Sequence, residues 1–274
     1  AAAFLPWALW AVVSDFRIVL ALSILFSFLS GHFQISLYVL GAVVAYIVFQ
    51  SVRLNKLRHG IFLIIYSILG VCLAAPQILL TLDAYQASVR SGSFIKAEII
   101  PWQYLVTLFS PDFYGNPVTR NDWFGHYAEW ASYIGVIPLV LALFAIGKKV
   151  KGEKLFFILL ALISILLAYP TPLNDLLFNL RLPAISTSAA SRIMVLLSFS
   201  LACLSAFGLD ELIDFWKTKR LKNVVLFGVV LLLVVGMIWG ILYIGKPFGL
   251  DKLVIARRNL LLPTVFACTA LGLM

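Results

Sequence analysis

The sequence predicts an all-α protein, a polytopic bundle of transmembrane helices with an irregular, partly helical outer loop. Three observations predict it: long apolar runs almost free of charge, basic residues gathered in short connectors, and one long aromatic segment punctuated by Pro and Gly. Hydrophobic residues make up 62% of the 274 and charged ones 12%, with a mean hydropathy of +1.03. A soluble chain of this length carries far more polar surface.

Nine spans or partial spans can be placed in order. Ala1 to Val13 is the first apolar run, then Arg17 to Ser30, a tight Gly31-His32-Phe33-Gln34 turn, and Phe33 to Val52. A basic connector with Arg53, Lys56 and Arg58 leads into Gly60 to Leu82, where Pro76 predicts a kink. Ser132 to Gly147 and Leu155 to Tyr169 follow the long aromatic segment, the latter short enough to need interfacial anchoring by Phe156, Phe157 and Tyr169. A polar loop, Pro170 to Ser191, precedes Arg192 to Leu209. Asn223 to Gly245 carries no formal charge and is long enough for a hydrocarbon core of about 30 Å at about 1.5 Å per residue. Asn259 to Met274 begins another crossing. No internal repeat or low-complexity linker divides the chain, which reads as a single transmembrane domain over residues 1–274. It starts on Ala1 and stops within an apolar run, as an internal piece of a longer protein would.

The net charge of +9 does not point to nucleic acid, because it lacks one continuous basic face with interleaved aromatics. Lys148, Lys149, Lys151 and Lys154, and Lys217, Lys219, Arg220 and Lys222, mark short connectors as cytoplasmic. Alternation then puts the loops 83–131 and 170–191 outside. The three cysteines, Cys72, Cys203 and Cys268, fall in apolar spans without metal-ligand spacing and read as buried free thiols. No GxGxxG, P-loop, HExxH or Gx-Ser-xG motif occurs, so nucleotide and nucleophile chemistry gain no support.

On this topology the uncommon polar residues collect on the outer side: His32 and Gln34 at a turn, Gln77 behind Pro76, and Asp83 and Arg90 at the start of the long loop. Asp112, Tyr114, Asn116, Arg120, Asp122, Trp123, His126 and Glu129 fill its later half, and Arg181 and Arg192 belong to the second loop. Each has a plainer role open to it. Asp83 and Glu129 can pair with loop arginines, His32 can cap a helix, and Arg192 can snorkel to headgroups. Trp102, Trp123 and Trp130 fit an aromatic belt, while Pro111, Gly115 and Pro117 fit turns. Taken together, carboxylates able to act as a base and arginines able to grip a phosphate suit a lipid-linked phosphate presented from the bilayer.

Several motifs carry a family resemblance. Pro101-Trp102-Gln103 and Phe109-Ser110-Pro111-Asp112-Phe113-Tyr114-Gly115-Asn116-Pro117 resemble the PWQ…FPDFFGNP segment of bacterial YfhO-like membrane proteins. Tyr127-Ala128-Glu129, Tyr133-Ile134-Gly135 and Pro138 are similar to the YxE…YxGxxP that follows there. Gly31 to Gln34 with Tyr38 looks like the family's GHxQ…Y turn. Pro76-Gln77, Asp83 and Ser88-Val89-Arg90 resemble its PQ…E…SxR stretch, with Asp for the usual Glu. Ala189-Ala190-Ser191-Arg192 through Gly208-Leu209-Asp210 resembles APxR…GxD, with Ser191 for Ala. The matched motifs span residues 31 to 210.

The resemblance implies a GT-C-like fold and a membrane glycosyltransferase. Such an enzyme moves sugar from a polyprenyl-phosphate donor to a cell-surface polymer or glycolipid on the outer face of a bacterial membrane. Membrane lipids, the lipid-linked donor and a glycan acceptor are its implied partners; no cofactor is implied, with a divalent cation left open. Arg192 and Arg90 would hold the donor phosphate, and Glu129, Asp112 and His32 would position the acceptor or order the loop, with Gln34, Asp83 and Tyr114 beside them. The family's acidic catalytic residue sits in a first outer loop upstream of residue 1, which makes this fragment inactive alone. The rival readings are a flippase of lipid-linked sugars and a non-catalytic scaffold.

Overall fold

The computed structural model describes residues 1–88, 99–147, 150–181, 185–186, 189–218, 221–245 and 247–273. All the regular structure among them is helical. The chain divides into two compact units, one of Ala1–Ile99 with Ile163–Leu196, the other of Ile100–Leu162 with Leu197–Met274.

The first unit starts with α1 (Leu5–Ser14), α2 (Arg17–Leu29), α3 (Phe33–Arg53), α4 (Leu57–Leu73) and α5 (Ala75–Gln86). α2 packs against α1 and α4, and α3 against α4, burying Leu5, Leu20, Ile24, Val39 and Ile47. Gly70 lets α4 approach α2 closely: a Cβ there would lie 2.5 Å from the Ala21 carbonyl oxygen. Small residues give apolar helices this approach when no water drives them together. The turn into α3 places Gly31 at φ 80, and His32 caps the helix by accepting from the Ile35 N–H.

The expected span Gly60 to Leu82 is a bent pair, α4 and α5 meeting at 61°. Pro76, in the first turn of α5, has no N–H to continue the ladder and its ring crowds the turn before it, so the break falls at Ala74. A second break of 70° separates α8 (Glu153–Ala168) from α9 (Pro172–Asn179). Thr171 caps α9 through the Asn174 N–H at 3.2 Å, and Pro172 occupies the first turn. The start of the expected 170–191 loop is therefore helical.

The second unit holds α6 (Tyr127–Trp130), α7 (Val136–Ile146), α11 (Leu221–Gly240) and α12 (Leu250–Leu273), while α8 and α10 (Met194–Thr218) run through the division. Val136, Val140, Leu231, Val235, Ala267 and Ala270 form one core cluster of this unit. The Lys154 ammonium, nearly buried, donates to the Ala145 carbonyl at 2.9 Å and to the Glu211 carboxylate.

Among the described residues four helices are long and apolar enough to cross a membrane: Phe33–Arg53, Ala190–Lys217, Val225–Gly245 and Leu250–Gly272. Each bent pair adds one, for up to six. The expected nine reduce to this because α1, α2 and α7 are short. The 13 residues of α2 reach only about 20 Å. Two other boundaries move. α10 continues through Asp210 and Asp214 to Thr218, and α12 begins at Leu250 rather than Asn259. Cys72 and Cys268 are exposed on their helices rather than buried.

Candidate functional site

Two polar centres, one in each unit, contain most of the residues singled out by sequence. The first is built on Gln34, only 3% exposed on α3. Its amide nitrogen donates to the Tyr38 hydroxyl and to the Ala189 carbonyl, both at 2.9 Å. Its amide oxygen accepts from the Arg192 guanidinium at 3.3 Å. A buried amide left unpaired costs several kcal/mol in an apolar setting (roughly 2–7), so these three contacts hold it where it is. Ser36 ties the same turn together, donating to the Ser27 carbonyl at 2.7 Å and the His32 carbonyl at 3.1 Å. Arg192 itself lies in a short 3-10 turn, Ala190–Ile193, leading into α10. Beside it the Ser191 hydroxyl is fully buried with no hydrogen-bond partner among the described residues. The Gln34 amide oxygen thus fixes one nitrogen of the guanidinium.

The second centre is Asp112, in the loop that follows the 3-10 helix Trp102–Leu108. Its Oδ1 accepts from the Tyr127 hydroxyl at 2.6 Å and the Asn116 amide at 3.0 Å. The Asn259 amide donates to the Asp112 carbonyl, and the Asn259 carbonyl accepts from Ser110 at 3.0 Å. Asn116 also caps the turn Pro117–Thr119, and its own N–H goes to the Asn121 side chain at 2.8 Å. The segment thus meets its backbone demands with side chains rather than a helix ladder.

Aromatic packing supports that loop. Tyr104 and Tyr114 stack with centroids 5.4 Å apart, Trp130 meets Tyr104 edge-on at 5.1 Å, and Trp123 meets Tyr114 edge-on at 5.0 Å. The Tyr114 hydroxyl donates to the Gln103 carbonyl at 2.8 Å. Burial first, with the nearby Asp112 and Asp122 charges second, pushes the Tyr104 phenol up to about 12. Burial and then the Tyr104 ring's charge do the same for Tyr114. Tyr127 also rises to about 12, by burial and then by its bond to Asp112, and so stays a donor to that carboxylate.

His32, Gln34, Asp83 and Arg192 lie in the first unit; Asp112, Tyr114 and Glu129 lie in the second. His32, Gln34 and Arg192 are brought together, His32 as the helix cap. Asp83 is exposed on α5, still inside the helix where the sequence places the start of a loop. Glu129 sits in the one-turn helix α6. Arg90 lies outside the described residues. Tyr127 and Asn259 were missed as partners of Asp112. Tyr127 carries a signal in its YxE motif, but Asn259 is 147 residues away and carries none. Among the described residues no group of three or more His, Cys, Asp or Glu is placed to hold a metal ion.

Fold and centres together define a class: the described residues are helical, with four to six helices long and apolar enough to cross a membrane, compatible with a multi-pass membrane protein. No protein-family model matches the chain, and no curated protein or solved structure matches it.

Proposed function

We propose that this chain is part of a bacterial, multi-pass membrane glycosyltransferase of GT-C-like fold. It takes sugar from a polyprenyl-phosphate donor for a cell-surface polymer or glycolipid, with the long loop on the outer face. The observation that carries the reading is the buried Gln34 amide aiming the Arg192 guanidinium. An arginine held by a buried amide at the head of an apolar helix is suited to a phosphate. Desolvation there strengthens the contact as charge builds on the leaving phosphate. Asp112, ordered by Tyr127 and Asn116, is suited to accept hydrogen bonds from a hydroxylated acceptor.

The test supplies the full-length protein in membranes with radiolabelled polyprenyl-phosphate sugars and compares wild type with Arg192→Ala. Transfer in wild type that drops about a hundredfold in the variant is the expected result, from the loss of charge-assisted hydrogen bonds. Full transfer by a folded Arg192→Ala protein overturns the phosphate-holding role. Label that moves between leaflets without transfer points to a flippase instead.

A further inference from the structure

We propose that the second unit binds the headgroup of a zwitterionic phospholipid with a primary ammonium, gripping the phosphate with Arg258 and the ammonium with Asp112. This inference does not rest on the glycosyltransferase reading. The two side chains line one cavity of about 280 Å³, together with Tyr133, Asn259, Leu262 and Phe266. That is just below the usual ligand-pocket range of about 300–1,000 Å³, so it holds a headgroup rather than a whole lipid.

The charges in the cavity are opposite but do not neutralise each other. Asp112 uses Oδ1 for Tyr127 and Asn116, leaving Oδ2 without a hydrogen bond among the described residues. Arg258 is exposed and forms no hydrogen bond or ion pair among them. Its neighbour Arg257 differs, donating to the Leu242 carbonyl and lying 4.1 Å from the Tyr243 ring centre. A single ligand with a cationic and an anionic end complements both free groups at once. The carboxylate oxygen accepts hydrogen bonds, which favours a primary ammonium over a quaternary one.

Position along α12 identifies that ligand as a lipid. Asp251, Lys252, Arg257 and Arg258 fall in its first part, and no charged residue follows from Asn259 to Leu273. The cavity therefore sits where the helix changes from polar to apolar, the level of phospholipid headgroups. Arg258, Leu262 and Phe266 recur every four residues and share one face of α12. Leu262 and Phe266 are 61% and 41% exposed, an apolar track for an acyl chain leading away from the arginine.

The experiment places full-length protein in vesicles of equal parts phosphatidylethanolamine, phosphatidylcholine and phosphatidylglycerol. It is extracted gently and the co-purifying lipid is measured by mass spectrometry. Phosphatidylethanolamine is expected to be enriched about tenfold over the other two, the worth of one charge-assisted hydrogen bond. Arg258→Gln should remove the enrichment, and it alters a surface side chain on which no other group depends. Asp112→Asn should remove the preference for phosphatidylethanolamine over phosphatidylglycerol. Tyr127→Phe, which loosens the same loop but keeps the carboxylate, should retain it. Lipid carried in the proportions of the vesicle, enrichment of phosphatidylglycerol by the wild type, or unchanged enrichment in Arg258→Gln each overturns the proposal.

Discussion

Gln34 and Asp112 each gather several polar partners, but by different means. Gln34 projects from a helix packed among helices, and its contacts with Ala189 and Arg192 reach 155 and 158 residues along the chain. Asp112 sits between short turns, and its side-chain partners lie 4 and 15 residues away. The first centre borrows its precision from close backbone packing in α2, α3 and α4. The second is held by side-chain hydrogen bonds and stacked rings. A packed centre should therefore fail when volume is added, and a hydrogen-bonded one when a single atom or proton is removed.

Adding volume should give the largest effect. Gly70→Val places a Cβ 2.5 Å from the Ala21 carbonyl and 3.0 Å from the Ile24 Cβ, forcing α2 and α4 apart. A destabilisation of about 3 kcal/mol is expected, read as a lowered unfolding temperature in detergent. An unchanged temperature would mean that these helices do not meet so closely. Removing one atom comes next. Tyr127→Phe deletes the donor to Asp112 and should cost about 1–2 kcal/mol. Local opening should speed tryptic cleavage at the exposed Arg120. Cleavage at the wild-type rate would show that the rings alone hold the loop.

The third test uses protons. Tyr104, Tyr114 and Tyr127 titrate near 12 in the folded chain, against about 10 unfolded. The folded state keeps phenol protons that the unfolded state releases. Their contribution to stability is thus complete below pH about 10 and is lost as pH rises from there toward about 12. Tyrosinate absorbance should rise in step with a change in Trp123 and Trp130 fluorescence. A titration at ordinary tyrosine values with no fluorescence change would remove the buried, hydrogen-bonded description of the loop.

The same contrast explains what was legible in the sequence. Long uncharged runs announce helices, since backbone groups in lipid must be satisfied within the segment. Pro76 announced a bend for the same reason. The start of α12 was hidden because Asp251, Lys252, Arg257 and Arg258 interrupt the apolar run, though charges at the end of a helix do not stop it. α9 was hidden by the polar Pro172-Leu173-Asn174-Asp175, which is a helix start as readily as a loop. In the sites, His32, Gln34 and Arg192 were legible as rare polar residues beside apolar runs. Arg258 and Asn259 were not, because only the folded chain brings α12 to Asp112.

The smallest effect is expected where charge stands alone, without packing or burial. Asp15 links α1 to α2 and pairs with Arg17 through two contacts, 3.0 and 3.2 Å, with the His59 ring 3.8 Å away. The hydrogen bond from Arg17, more than its charge, holds the Asp15 carboxyl below the usual range. Its stabilising share is present above the ordinary carboxylate value and is lost as pH falls through the lowered one. Both side chains are solvent-exposed, so water and salt screen the pair. Asp15→Asn should leave the unfolding temperature at neutral pH unchanged, since Asn also tolerates the left-handed backbone at φ 57. A clear drop that high salt reproduces in the wild type would show the charge pair, rather than the apolar contacts of α1 and α2, setting their approach. The first unit would then share the second unit's dependence on single polar contacts.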